Sequence, residues 1–332
     1  MTSPSLRLGI LGAARIAPQG VIKPAARLGD VEVVAVAARD PARARTFATK
    51  HAIGRVHESY DDLIADPEID AVYNPLPNAL HARWSLAAIA AGKHVLCEKP
   101  FTSNAAEARE VAVAAESSGL VVMEAFHYRY HPLAARMREI VTSGELGEVT
   151  RIDTSMCIPL PLFGDIRYNY ALGGGATMDV GCYALHMNRY LAGATPEILA
   201  ATPTRLRRDR EVDRAMRVEV QYPTGVTGTV RCALFSRRLL DISVRVAGTQ
   251  GRMRVFNPTS PQAYHRLVVK GASGRRREPR IRSDGTYTHQ LRAFATAVRG
   301  EGPVLTDARD AVTNMAIIDA VYDAAGMRRR GA

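Results

Sequence analysis

"LGILGAARIA", residues 8–17, decides the fold. Gly9 and Gly12 close a short apolar run and open a helical pattern, the place where a dinucleotide-binding fold makes its first strand-to-helix turn. That turn needs glycine, because a backbone without side chains lets a pyrophosphate approach the helix N-terminus, where N–H groups and the helix dipole favour an anion. Ala14 stands where the usual pattern has its third glycine, so context carries the reading: a strand before, a helix after, and a second strand ending at Ala38.

Outward from this turn, "LRLGIL" (6–11), "VEVVAVAA" (31–38), "DAVYNPL" (70–76), "HVLCE" (94–98) and "LVVMEAF" (120–126) are short apolar runs, each followed by a helical pattern. Strands buried on both faces read this way, and the alternation predicts a parallel sheet wound with helices. Helix signals agree. Asp40-Pro41 is an N-cap followed by proline, Gly92 ends the pattern that begins at Asn78, and Asn104 can cap the next helix. After about residue 149 the rhythm becomes one of successive strands ("VTRIDTSMCI", "MRVEVQY", "VTGTVRCALF", "DISVRVAG" and others), with helical patterns only at 176–192 and 287–299.

The expected fold class is therefore α/β. A Rossmann doubly wound parallel sheet occupies 1–126, an α+β substrate and oligomerisation domain with a large, mostly antiparallel, open-faced sheet occupies 127–305, and a last helix in 306–332 packs back on the first domain. An open sheet face usually needs a partner, which predicts a homodimer or homotetramer.

With 332 residues, 47% of them hydrophobic, the chain can bury a full core. No basic-then-apolar leader opens it and its apolar runs are too short to span a bilayer, so the expectation is a cytoplasmic protein without membrane partners. Cys97, Cys157, Cys182 and Cys232 are widely spread with no C-x-x-C pair, which predicts buried free thiols and no metal site. The net charge of +11 sits in short arginine bursts at 205–210, 275–280 and 328–330. No nucleic-acid module surrounds them, so they are expected in solvated loops or an oligomer contact.

The end of the second strand selects the cofactor. NAD sites usually place a carboxylate there for the ribose 2′-hydroxyl, whereas this chain has Ala38-Arg39, and an arginine can pair with a 2′-phosphate. NADP(H) is thus favoured over NAD(H), with Asp40 assigned to capping the next helix.

Ligands of such sheets bind beyond the carboxyl ends of the strands, and Glu98-Lys99-Pro100 sits at one. Proline keeps the residue before it extended, so the Lys99 side chain can project into the crevice and lend its charge to a developing alkoxide.

"AGKHVLCEKP" (91–100), "GILGAARIA" (9–17) and "YNPLPNALH" (73–81) together resemble the signature segments of the glucose-fructose oxidoreductase / inositol dehydrogenase / rhizopine-catabolism (Gfo/Idh/MocA) family. The resemblance covers nearly the whole chain and implies that Lys99 assists catalysis while Glu98 and Pro100 shape the site. It also implies that Gly9, Gly12, Ala14, Arg15, Ile16, Ala38, Arg39, Asn74, Pro75, Asn78 and His81 line the cofactor. In "MEAFHYRYHP" (123–132) it brings Arg129 towards the nicotinamide; His127 stands where the family more often has an apolar residue, and either polarises the pocket or packs between domains.

In "GGGATMDVGCYALHMNRYL" (173–191), Asp179, Tyr183, His186 and Tyr190 fall on one helical stripe between two apolar ones. Read alone, this is a helix lining a polar cavity or an amphipathic helix with satisfied tyrosines. The family pattern G-G-G-x-x-x-D-x-G-x-[HY] implies that Tyr183 is the general acid/base, able to exchange a proton if a cation such as Lys99 lowers its pKa, and that Asp179 accepts substrate hydrogen bonds. His186 reads as a packing histidine. "FGDIRYNY" (163–170) falls at the family's substrate loop, which makes Arg167 and Tyr168 candidate contacts beside Asp179, Tyr183 and His127. The expected activity is hydride transfer between NADP(H) and a carbinol or carbonyl carbon of a sugar-like substrate. The alternatives are a dihydrodiol or other non-sugar alcohol dehydrogenase, and a non-catalytic NADP-binding regulatory or scaffold protein.

Overall fold

Strand β1 (Leu6–Leu11) is buried along almost its whole length, which requires cover on both faces. In the computed structural model, which describes residues 5–271 and 274–331, it lies at the centre of a six-stranded sheet with β2 (Val31–Ala37), β3 (Arg55–His57), β4 (Ala71–Asn74), β5 (His94–Cys97) and β6 (Val122–Glu124). All pairings are parallel and the order is β3-β2-β1-β4-β5-β6. The order reverses between β1 and β4, so the carboxyl ends of these two strands mark the ligand crevice of a Rossmann sheet.

The crossover helices start as their caps dictate. Asp40 accepts from Ala42 N and Arg43 N ahead of the Pro41–His51 helix, and Asn104 accepts from Glu107 N ahead of Ala105–Ser118. Gly9 is a packing glycine, since a Cβ there would lie 2.8 Å from Leu63 Cδ2 in the Tyr60–Ala65 helix. This compact unit comprises Met1–His127 and Tyr287–Val312; within it Thr306 extends the β6 edge, accepting at its carbonyl from Glu124 N at 2.9 Å.

The second unit comprises Tyr128–Thr286 and Thr313–Ala332. Its sheet contains β7 (Val149–Cys157), β8 (Glu197–Arg205), β9 (Asp213–Gln221), β10 (Thr227–Ala233), β11 (Asp241–Gly248), β12 (Arg252–Phe256), β13 (Arg266–Gly271) and β14 (Gly274–Arg277). The order is β14-β13-β12-β11-β7-β10-β9-β8, antiparallel except for the β7–β10 pair. Register places Val218, Val230, Thr154, Val244, Val255 and Leu267 in one row across six strands, all buried. The Cys182–Ala192 helix lies over that face, where Ala184 O accepts from Thr154 Oγ1 at 2.9 Å. Alternate residues Arg217, Glu219, Arg245, Arg252 and Arg254 point the other way and are exposed.

Four elements lie beyond the sequence patterns. β3 and β14 are too short for any periodicity, and the Tyr60–Ala65 helix is only six residues long. The Pro132–Thr142 helix is capped by His131, whose side chain accepts from Leu133 N, so the usual Ser, Thr, Asp or Asn signal is missing.

All four cysteines are buried free thiols, as expected; burial pushes the Cys97 and Cys232 thiols well up and Cys157 to about 11. The arginine bursts are exposed, as expected, at Arg207, Arg208, Arg210, Arg275, Arg277, Arg280, Arg328 and Arg329, and the remaining three members depart from that expectation. Arg205 donates to Gly326 O at 2.8 Å, Arg276 pairs with Glu145 and Glu278, and Arg330 is completely buried. Among the described residues, no helix is long and apolar enough to cross a membrane.

Candidate functional site

At the glycine turn, Gly12 adopts φ +90° and donates its N–H to Ala37 O at 2.6 Å. A Cβ there would lie 3.0 Å from Leu76 Cδ2 in addition to the left-handed strain. Ala14 N turns back to Gly12 O at 2.8 Å, Arg15 is exposed and Ile16 half-buried. The helix that begins at Pro18 has no side-chain cap. A close-approach turn feeding an uncapped helix N-terminus fits the pyrophosphate of a dinucleotide. Sequence reasoning passed over Gly20, whose Cβ would lie 2.5 Å from Tyr73 Oη; glycine here lets this helix sit down on β4.

At the tip of β2, Ala38 is buried and Arg39 exposed. The Asp40 carboxylate is occupied with its helix cap, while Arg43 reaches back to Ala13 O at 3.2 Å. Two guanidinium groups thus flank the turn, beside a carboxylate whose Oδ1 is taken by the helix cap.

The lysine loop follows β5. Glu98 N donates to Asn74 O at 3.0 Å, and the Glu98 carboxylate, almost fully buried, accepts from Tyr73 Oη at 2.7 Å and from Lys99 N at 3.3 Å. Burial, with Glu98 next, holds the Tyr73 phenol well above its usual range, so Tyr73 stays a donor. Lys99 is half-buried, the Lys99–Pro100 peptide is cis, and Phe101 N donates to Glu124 Oε1 at 2.9 Å.

His81 spans this loop and the preceding one, with Nδ1 2.8 Å from Pro100 O and Nε2 2.7 Å from Leu76 O. A neutral ring donates to only one of the two carbonyls. Burial nevertheless lowers its pKa to about 4, the two backbone hydrogen bonds opposing and the Lys99 charge assisting. With no carboxylate to pair a buried imidazolium, the neutral form prevails. Asn74 is equally committed, donating to His81 O at 3.1 Å and Ser85 Oγ at 3.2 Å; Pro75 is buried and Asn78 half-buried. These residues shape the turn that follows β4. His127 is buried with its ring 4.1 Å from that of Tyr287, and burial followed by the Lys99 charge lowers its pKa to about 3.

In the second unit, Asp179 lies in a π-helical turn, Thr177–Gly181, that runs into the Cys182–Ala192 helix. Arg167 Nε donates to Asp179 Oδ2 at 3.0 Å while Nη1 holds Asp165 at 3.0 Å, so two candidate substrate residues form one pair. Asp179 raises the Arg167 pKa further. Tyr168 is buried, donates to Leu160 O at 2.6 Å and has its pKa pushed up to about 12 by burial, which makes it an anchor for the loop. Tyr183 is nearly buried, its ring centroid 6.1 Å from that of Tyr128. Tyr128 Oη is hydrogen-bonded to His186 Nδ1, and Arg129 stacks over Tyr190 at 3.8 Å. The polar stripe therefore does not face one cavity alone: His186 and Tyr190 are engaged by the Tyr128–Arg129 segment.

A parallel sheet reversed at a glycine turn, with a lysine at a strand tip, fits a dinucleotide-dependent oxidoreductase. Residues 6–126 match the family model described as "Oxidoreductase family, NAD-binding Rossmann fold" and residues 134–254 the "GFO/IDH/MocA C-terminal domain"; the chain belongs to the Gfo/Idh/MocA family of oxidoreductases. It is 40% identical over 325 residues to D-xylose 1-dehydrogenase (NADP(+)) 2 of Haloferax volcanii, covering 96% of this chain and 97% of that one. It is 35% identical over 276 residues to pig (Sus scrofa) trans-1,2-dihydrobenzene-1,2-diol dehydrogenase, covering 80% and 78%. Among solved structures, the 3-ketoreductase KijD10 of Actinomadura kijaniata, in complex with NADP and TDP-benzene, superposes with a TM-score of 0.88 at 30% identity over 96% of this chain and 98% of that one.

Proposed function

We propose that the protein is an NADP(H)-dependent oxidoreductase that interconverts a secondary or anomeric hydroxyl and the corresponding carbonyl of a sugar. The observation that carries this reading is the lysine loop: Lys99 stands half-buried at the carboxyl end of β5 on a backbone tied through Glu98 to Tyr73 and through Pro100 to His81. The nicotinamide, when bound, takes up or delivers the hydride. Lys99 stabilises negative charge on the substrate oxygen, Tyr183 gives or takes the hydroxyl proton, and Asp179, oriented by Arg167, accepts hydrogen bonds from neighbouring hydroxyls. Arg39 at the tip of β2 and Arg43 in the first turn of the following helix support NADP(H) over NAD(H), and the NADP(+) relative supports the same choice. Gly9, Gly12, Ala14, Arg15, Ile16, Ala38, Asn74, Pro75, Asn78 and His81 shape the turns that receive the cofactor, and Arg129 belongs to the segment that supports Tyr183 and His186.

The pig relative favours a second reading, oxidation of a cyclic vicinal diol. One experiment separates the two: nicotinamide absorbance with NADP+ and NAD+ against D-xylose, other aldoses and cyclic trans-diols, with Lys99→Met beside the wild type. Turnover of aldoses with NADP+ that falls at least 100-fold in the variant supports the reading; turnover confined to diols replaces it with the second. We further propose a homodimer or homotetramer through the exposed sheet face bearing Arg217, Arg245 and Arg254. Light scattering after size exclusion checks this, and a monomer at micromolar concentration refutes it.

A further inference from the structure

The arginine at position 330 closes a charged knot in the interior of the second unit. Its guanidinium is completely buried, donating from Nε to Gly174 O at 2.6 Å, from Nη1 to Arg328 O at 2.9 Å and from Nη2 to Asp213 Oδ1 at 3.0 Å. The ring of Tyr322 lies 4.2 Å from it and that of Tyr170 4.9 Å, so its uncharged surface is covered as well. Asp213, also fully buried, distributes its two oxygens. Oδ1 takes Arg330 and the Tyr322 hydroxyl at 3.0 Å; Oδ2 takes the N–H and the hydroxyl of Thr177, both at 2.7 Å.

The knot meets the Asp179 turn through Thr177 and the glycine loop before it through Gly174. Thr177 is the first residue of that turn, and Asp179 N donates to Gly175 O at 3.0 Å. Gly174 and Gly175 in turn donate to Asn169 O and Arg167 O, both at 2.8 Å, so the same glycine loop sets the backbone of the arginine that pairs with Asp179. The knot also explains the glycine at 175. It adopts φ +139°, and a Cβ there would lie 2.3 Å from Asp213 Oδ1 and 2.8 Å from both Arg330 Nη2 and Tyr322 Oη. An ion pair of this kind, removed from water, has a fixed geometry, because any departure leaves a charge desolvated and unpaired.

We propose that Arg330 and Asp213 are positioning residues for substrate recognition: they fix the glycine loop so that the Asp179 carboxylate and the Arg167 guanidinium are held as a pre-formed polyol-binding pair. This rests on the reading that Asp179 touches substrate. A planar fork is needed at 330, since one charge must reach a carbonyl and a carboxylate at once, which a lysine ammonium does with poorer geometry.

The test compares wild type, Arg330→Ala, Tyr322→Phe and, as a control, Arg299→Ala, which removes an ion pair with Asp30 in the first unit. Peptide-level hydrogen exchange over 170–182 is measured first, then KM for D-xylose and for NADP+. In Arg330→Ala, exchange over 170–182 is expected to rise while 183–192 keeps its protection, and KM for D-xylose to rise at least 10-fold with KM for NADP+ within twofold. Millimolar guanidinium chloride should restore part of the sugar KM by refilling the vacated site. Arg299→Ala should move neither reading, whatever its melting temperature. If Arg330→Ala does not fold, Tyr322→Phe, which removes one donor and keeps the ion pair, should raise the D-xylose KM 2- to 5-fold. Unchanged exchange over 170–182, or an equal rise in both KM values, overturns the proposal. A wild type that turns over no aldose refutes the sugar reading itself, and the exchange result then still decides whether Arg330 holds the loop.

Discussion

Replacing Arg39 by alanine tests the cofactor assignment at the residue that carries it. Arg39 is exposed at the end of β2, and Asp40 beside it holds Ala42 N and Arg43 N through Oδ1, so a 2′-phosphate there would draw on the Arg39 and Arg43 guanidinium groups. Exposure sets the magnitude. A unit charge pair at 4 Å is worth about 1 kcal/mol in bulk water and about 4 at a protein surface, and a charge-assisted hydrogen bond contributes roughly 1.5–3 kcal/mol. Arg43, already at Ala13 O 3.2 Å away, remains to share the phosphate, which places the loss towards the lower half of that range. At about 1.4 kcal/mol per decade, Arg39→Ala should raise KM for NADP+ about 10- to 40-fold and leave KM for NAD+ within about twofold. Arg39→Lys should fall between, keeping charge without the fork. Asp40→Asn, which keeps the helix cap and removes the neighbouring negative charge, should shift the cofactor ratio further towards NADP+. The assay is steady-state kinetics with each cofactor at 50 and 500 mM salt, and the NADP+ advantage should shrink at the higher value. Equal changes for both cofactors in Arg39→Ala, or none, would refute the reasoning.

Tyr73→Phe removes the buried donor to Glu98 Oε1 and should cost about 1–3 kcal/mol in urea denaturation, with a fall in kcat because Lys99 follows directly; an unchanged midpoint contradicts the structural role. Tyr183→Phe should lower kcat about 100-fold with NADPH binding, read by fluorescence, retained. Acid stability should reflect His127, whose folded pKa of about 3 lies below the unfolded value of about 6.5. The unfolded state then binds the extra proton between those values, so the histidine's contribution is complete above about pH 6.5 and is lost as pH falls towards 3, at up to about 1.4 kcal/mol per pH unit. His127→Phe should accordingly gain on the wild type below pH 6, and a constant difference from pH 7.5 to 4.5 would place that ring in water. Gly175→Ala, which drives a methyl group against Asp213 and Arg330 at a positive φ, should destabilise by about 2–5 kcal/mol.

The Rossmann half was legible because a parallel strand buried on both faces leaves a continuous apolar run and its helices announce themselves through Asp40, Asn104 and terminal glycines. Gly12 and Lys99 were legible as candidates for a related reason: each stands at a strand end marked by the backbone within a few residues of itself, whereas Asp179 stood out through its helical stripe and the family pattern. Arg330 shows what such locality misses. A basic triplet ordinarily sits in solvent, since burying a guanidinium is unfavourable without a carboxylate and filled donors. Here those partners stand at positions 170, 174, 213 and 322, and no pattern within a window around residue 330 records them. The one trace left in the sequence is the glycine run 173–175. A Cβ at Gly174 would lie 2.7 Å from Arg167 O, and one at Gly175 would strike Asp213 Oδ1, so the run reports that something approaches the backbone closely without reporting what. Glycine thus marks both ends of the same problem in this chain: at Gly12 the approaching group fits a cofactor, and at Gly175 it is the protein's own ion pair.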